Sequence, residues 1–96
     1  MNEQLEMKMR EIIWRRWTTG EYSVEESHPS IFSIEIYNEL IESDISVPSG
    51  AMEQIFKLWM SQGYIRTRAV GGNSEDKRQH GSMYIFMVYE SLIKPH

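Results

Sequence analysis

The chain has 96 residues, of which 41% are hydrophobic and 25% charged, which suits one folded domain and leaves no room for two. It has no cysteine, so disulfides, thiolate nucleophiles and thiolate metal sites are excluded, in keeping with a reducing, cytoplasmic setting. The net charge of −4 is unevenly spread: residues 21–50 hold seven acidic and no basic side chains, whereas residues 51–96 hold six basic against four acidic ones, so a polyanion would have to be met by the C-terminal half.

No apolar run approaches the roughly 20 residues that span a bilayer. The N-terminus, MNEQLEMKMREIIW, is charged throughout and does not read as a secretory signal. Over Asn2–Trp17, Leu5, Met9, Ile12, Ile13 and Trp17 recur at helical spacing, with Glu6, Arg10, Arg15 and Arg16 on other faces. Gly20 supplies the stop. Met7 and Trp14 lie off the stripe, as part of a wide core face or as a dimer contact. Residues Thr18–Pro29 carry no strong period.

Ser30–Ser33 reads as a short extended piece. Ser33 is then placed to cap a helix to about Ser43, with Ile36, Tyr37, Leu40 and Ile41 inward and Glu35, Glu39 and Glu42 on a solvated face. Asp44-Ile45-Ser46 breaks it. A third helix is expected from Ser46 or Ser49 to Gln62, with Pro48 in its first turn, an apolar stripe of Met52, Ile55, Phe56 and Trp59, and Gly63 as its stop. Tyr64–Val70 and Met83–Tyr89 alternate as strands around the polar, glycine-bounded loop Gly71–Ser82. Met83, Ile85, Met87 and Tyr89 fall on one face of the last strand and Tyr84, Phe86 and Val88 on the other, so both faces are apolar.

Helix, short strand, helix, turn, helix, strand, loop, strand: this order resembles the winged helix-turn-helix superfamily over most of the chain, from about Leu5 to Tyr89. The densest stretch is Ile36–Thr67, IYNELIESDISVPSGAMEQIFKLWMSQGYIRT. Here Leu40, Val47, Pro48-Ser49, Met52, Ile55-Phe56, Trp59 and Gly63-Tyr64-Ile65-Arg66 take places familiar from MarR-, PadR- and LexA-type DNA-binding domains. The resemblance implies an α+β domain over residues 1–96: a first helix (1–18), a helix-turn-helix (33–62) and a β-hairpin wing (64–89).

It also implies how the chain would meet double-stranded DNA. The second helix of such a motif offers its N-terminal residues to base edges in the major groove. Ser46 at the possible helix start is a candidate contact, and the small residues at 49–51, Ser49 and Gly50 among them, allow close approach. Gln54 suits adenine, Lys57 suits guanine or a phosphate, and Glu53 suits cytosine's amino group better than a phosphate. The hairpin adds Arg66, Arg68, Lys77 and Arg78, with Asn73 and His80 near its tip. Four such cations predict a salt slope of about −3.6 per monomer, modest enough that a homodimer on two half-sites is expected.

Enzymatic readings lack residues to carry them. His28, His80 and His96 stand apart with no metal-ligand spacing, and Gly71-Gly72-Asn73 lacks the lysine of a phosphate-binding loop. No catalytic residue, metal or cofactor is therefore expected. The expected function is a small, sequence-specific DNA-binding protein, either a transcriptional regulator such as a repressor or a plasmid- or phage-type replication or partition factor. The alternative is a winged-helix module that docks a protein, with acidic residues 21–44 as the contact face.

Overall fold

The computed structural model describes residues 3–25, 27–69 and 83–87. Along the chain run α1 (Glu3–Thr19), β1 (Ser23–Glu25), β2 (His28–Phe32), α2 (Ser33–Glu42), α3 (Ala51–Ser61), β3 (Ile65–Ala69) and β4 (Met83–Met87). The protein is α+β, with three helices packed on an antiparallel sheet.

α1 buries Leu5, Met9, Ile12 and Ile13, as their spacing requires. Glu3 and Glu6 in its first turn and Arg16 in its last complement the helix dipole. Trp17, expected in the core stripe, is half-buried and instead stacks on Tyr22, with ring centroids 5.5 Å apart. Arg10, expected on a polar face, is buried at 7% exposure.

The three helices end in the same way. Gly20, Asp44 and Gly63 take left-handed conformations, with φ of 76°, 59° and 79°. The next residue then turns its N–H back to a carbonyl of the last turn: Glu21 to Arg16, Ile45 to Leu40 and Tyr64 to Trp59, each 2.9 Å. For α2 and α3 the N–H groups of Asp44 and Gly63 also donate, to Ile41 and Met60, which completes a Schellman motif. Ile45 and Tyr64 pack against the core from the position where that motif calls for an apolar residue.

Two helix starts differ from expectation. Ser33 is the first residue of α2, fully buried, and Phe32 holds the N-cap position. Phe32 has no side-chain acceptor, so only half a capping box forms: the Glu35 carboxylate accepts the Phe32 N–H at 2.9 Å. α3 starts at Ala51, later than Ser46 or Ser49. Gly50 has φ 79° and ψ −6°, and the Ala51 N–H donates to Pro48 O at 3.0 Å. This is the geometry of a type II turn, whose third residue must accept positive φ. Pro48, Ser49 and Gly50 are spent on that turn and cannot be helical. The connection between α2 and α3 therefore spans residues 43–50 and is not tight.

The sheet has four strands in the order β1-β2-β4-β3. The added strand, β1, lies within the segment that has no period of its own, and pairs with β2 from Ser23↔Ser30 to Glu25↔His28. β2 pairs with β4 through Ser30↔Phe86, Ile31↔Ile85 and Phe32↔Tyr84. That ladder begins after Pro29, so the missing proline N–H falls outside it. β3 pairs with β4 from Ile65↔Met87 to Ala69↔Met83. The register aligns Ile31, Ile85 and Thr67 across one face, and Ile65 with Met87. Ile31 and Ile65 are buried, so positions 83, 85 and 87 lie on the face towards the core. Residues 88 and 89 lie outside the described residues.

The helices close that face. α2 contributes Ile36 and Leu40, and α3 Met52, Ile55, Phe56 and Trp59, all at 0–1% exposure. Phe56 and Trp59 meet edge to face at 6.0 Å. Ile41, expected inward, is 46% exposed. Among the described residues no helix is long and apolar enough to cross a membrane.

Candidate nucleic-acid interface

The expected contact residues fall into three groups. Ser46 and Ser49 are exposed and Gly50 half-buried, all in the connection ahead of α3 and not on its first turn. Gln54 and Lys57 are exposed on α3 itself. The Gln54 N–H donates to Gly50 O at 3.1 Å, one of the first bonds of the helix, so the side chain is set one turn from its N-terminus. Lys57 is not an isolated cation: its Nζ lies 3.4 Å from Glu53 Oε1, an i,i+4 pair.

The third group lies on the sheet. Arg66 is exposed on β3 and registers with Phe86, and position 68 registers with Tyr84. Thr67, between them, turns to α3, where its hydroxyl donates to Met60 Sδ at 3.3 Å. Positions 66 and 68 therefore share the sheet face opposite the one that meets α3. The expected contacts on α3 and those on β3 thus lie on different surfaces of the described chain. Asn73, Lys77, Arg78 and His80 lie outside the described residues.

The acidic segment is not a bare face. Glu39 reaches both Arg15 and Arg16 on α1, Glu35 lies 3.3 Å from Arg16 Nη1, and Glu21 lies 2.6 Å from Arg15 Nη1. Glu35 and Glu39, expected to be solvated, instead tie α2 to α1, while Glu42 and Asp44 remain exposed. Arg15 and Arg16 are consumed by the same network. The Thr19 hydroxyl, 2.7 Å from Glu21 Oε2, holds the Glu21 carboxyl below its ordinary value of 4.5; desolvation opposes this, and the positive charges of Arg15 and then Arg16 add to the lowering. Thr19 Oγ1 is equally close to Arg15 O, and its one proton serves the charged acceptor better.

The α1–α2 junction also carries a groove of about 230 Å³, floored by Ile12, Leu40 and Ile45. Its charged walls are already matched, Lys8 with Glu11 at 3.2 Å and Arg15 with Glu39. Among the described residues no cluster of three or more His, Asp or Glu could hold a metal ion.

Sequence reasoning missed Arg10. Its guanidinium carbon lies 5.3 Å from the ring centroid of Trp59 and 5.1 Å from that of Tyr64, with Nε 3.6 Å from Glu6 Oε1. It thereby joins α1 to the end of α3 and the start of β3. The available signal was its place beside Met9 and Ile13 with a carboxylate four residues earlier. No family model, curated protein or solved structure matches this chain.

Proposed function

We propose that the chain is a winged-helix protein that binds double-stranded DNA through α3, acting as a transcriptional regulator or as a replication or partition factor. The observation that carries this reading is topological. A strand between the first two helices, β2, pairs with β4, which closes a hairpin with β3 directly after the third helix. In a winged helix the strand ahead of the helix-turn-helix joins the wing in one sheet in this way. The exposure of Gln54 and Lys57 on the third helix, and of Arg66 on the hairpin, supports the assignment of contacts. The β1 strand is an addition to that plan and does not interrupt it.

Fluorescence anisotropy of the full chain with duplex fragments at about 50 mM salt tests the proposal. Binding should appear at micromolar protein or below and weaken linearly in log salt. Signal no greater than background at micromolar protein sinks it.

A protein-docking role is favoured by one observation: Ile41 is 46% exposed on α2, beside the exposed acidic pair Glu42 and Asp44. An apolar residue rimmed by carboxylates suits a basic, partly apolar partner. A stoichiometric partner that survives nuclease in a pull-down, and is lost in Ile41→Lys, would favour that role over DNA.

A further inference from the structure

α3 begins without a side-chain cap. Gly50 stands at its N-cap position and has no side-chain oxygen to offer the first N–H groups. The carboxylate of the first turn belongs instead to Glu53, the third helical residue, near the positive end of the dipole. Glu53 also pairs with Lys57 one turn on, in the favourable order of Glu before Lys. The pair faces solvent, with side chains 37% and 67% exposed. Two consequences follow for a helix that enters a groove. Its N-terminus, elsewhere a ready anion site, already has an anion beside it. The one cation exposed on it is matched by a carboxylate. A phosphate approaching this end of α3 is repelled, whereas a base edge that offers an amino hydrogen is not.

We infer that Glu53 is a specificity-determining residue: it turns α3 away from the phosphate backbone and accepts a hydrogen bond from the major-groove amino group of a cytosine, while Lys57 reaches guanine O6 or N7. The inference rests on the reading of the chain as a DNA-binding protein. Carboxylates accept from cytosine N4 and lysine donates to guanine, and both groups are displayed in the major groove of a C·G pair. Side chains one helical turn apart are about 5.4 Å apart along the axis, so the two cover one or two neighbouring pairs. An exposed ion pair is weak, and opening it to meet the bases costs little.

The experiment uses the full chain. Wild-type protein selects duplexes from a random 20-base-pair pool, and anisotropy then compares the selected duplex with a random one at several salt concentrations. Glu53→Gln should bind the random duplex severalfold more tightly, with a salt slope more negative by about 0.9 as Lys57 gains a phosphate. It should also lose about 5- to 150-fold of preference at one C·G pair, the equivalent of roughly 1–3 kcal/mol. Glu53→Asp, which keeps the charge and shortens the reach, should lose the C·G preference without gaining affinity for random DNA. This second variant keeps the test sharp if Glu53→Gln folds poorly. Identical salt slopes and base preferences for wild type and both variants would overturn the inference and leave DNA binding standing. Absence of duplex binding by every protein would overturn the DNA-binding reading, and this inference with it.

Discussion

A guanidinium buried between two aromatic rings contributes by its plane and its stem as much as by its charge. Arg10 is such a group, and both rings are held by packing, because Trp59 is fully buried and Tyr64 is partly buried against the core. Arg10→Ala should cost about 2–4 kcal/mol, since it removes the stem from beside Trp59 and leaves a void. Arg10→Lys keeps a cation but not a plane, and should cost about 1 kcal/mol. Urea unfolding followed by tryptophan fluorescence measures both; equal, negligible costs would show that the contact is incidental. Residue-scale reasoning from sequence put Arg10 outside because a helical wheel scores charge, and the packing of α1 onto the end of α3 is invisible to it. Glu21 poses a different question, of pH. Its carboxyl is held below 4.5 in the fold, so the folded state binds its proton less readily than the unfolded chain does. The stability it contributes is therefore complete above 4.5 and is lost as pH falls through the depressed folded value. Urea melts at pH 7 and pH 3 should show a smaller acid-induced loss for Glu21→Gln than for wild type. An unchanged loss would mean that the Thr19 and Arg15 contacts do not persist in solution.

Elements were legible where a period runs long enough to specify a face. The stripe Met52, Ile55, Phe56, Trp59 defined α3, and all four residues are buried. Helix ends were legible at Gly20 and Gly63, because only glycine takes positive φ without strain. β1 was not: three residues, Ser23–Glu25, hold their shape only by pairing with β2, a tertiary fact. The start of α3 was misplaced because Ser49 and Pro48 favour a helix N-terminus locally, while Gly50 commits them to a turn. Glu35 and Glu39 looked solvated because their arginine partners lie some twenty residues away on α1. At the candidate site the exposure of Gln54, Lys57 and Arg66 was legible, and the division of those side chains between two surfaces was not. The helix ends carry a prediction. Asp44 does at α2 what Gly20 and Gly63 do at α1 and α3, but with a side chain in a left-handed conformation. Asp44→Gly should therefore raise stability by about 0.5–1 kcal/mol, whereas Gly63→Ala should lower it by about 1–2 kcal/mol. An added Cβ at Gly63 meets nothing within 4 Å, so the loss would report backbone strain alone. Thermal melts decide, and opposite signs are the required result. The proposed contacts divide by element in the same way. Arg66→Ala on β3 should weaken binding to all duplexes and flatten the salt slope by about 0.9. Gln54→Ala on α3 should lower discrimination between sites by about 1–3 kcal/mol. Equal losses on selected and random DNA for both variants would mean that α3 reads no bases.

At the scale of the whole molecule, charge and apolar surface both point to assembly. Arg15 and Arg16 are spent on Glu21, Glu35 and Glu39, so α1 keeps little cationic surface for DNA, and one copy of the chain has few contacts to offer. A homodimer would double them and, with two-fold symmetry, set two α3 helices about 34 Å apart, one duplex turn. Sequence reasoning gave apolar surface of the first helix, the last strand or both as the interface. The sheet order removes one option for edge pairing: β4 lies between β2 and β3, so both of its edges are occupied. Among the described residues β1 is an outer strand that pairs on one side only, and it lies beside apolar surface. It carries Val24 at 67% exposure, two residues after Tyr22, which stacks on Trp17. Edge strands that present a valine to water invite pairing with another strand, and the aromatic stack next to it supplies apolar area. Light scattering at tens of micromolar should therefore give a mass near twice the 11.4 kDa of the chain. Val24→Lys, which places a charge on that edge, should shift the mass towards the monomer while leaving the melting temperature of the dilute protein unchanged. The same variant should also halve the magnitude of the salt slope on DNA, because each complex would then hold one set of phosphate contacts in place of two. A wild-type mass of 11.4 kDa at that concentration would remove the dimer and the second half-site together.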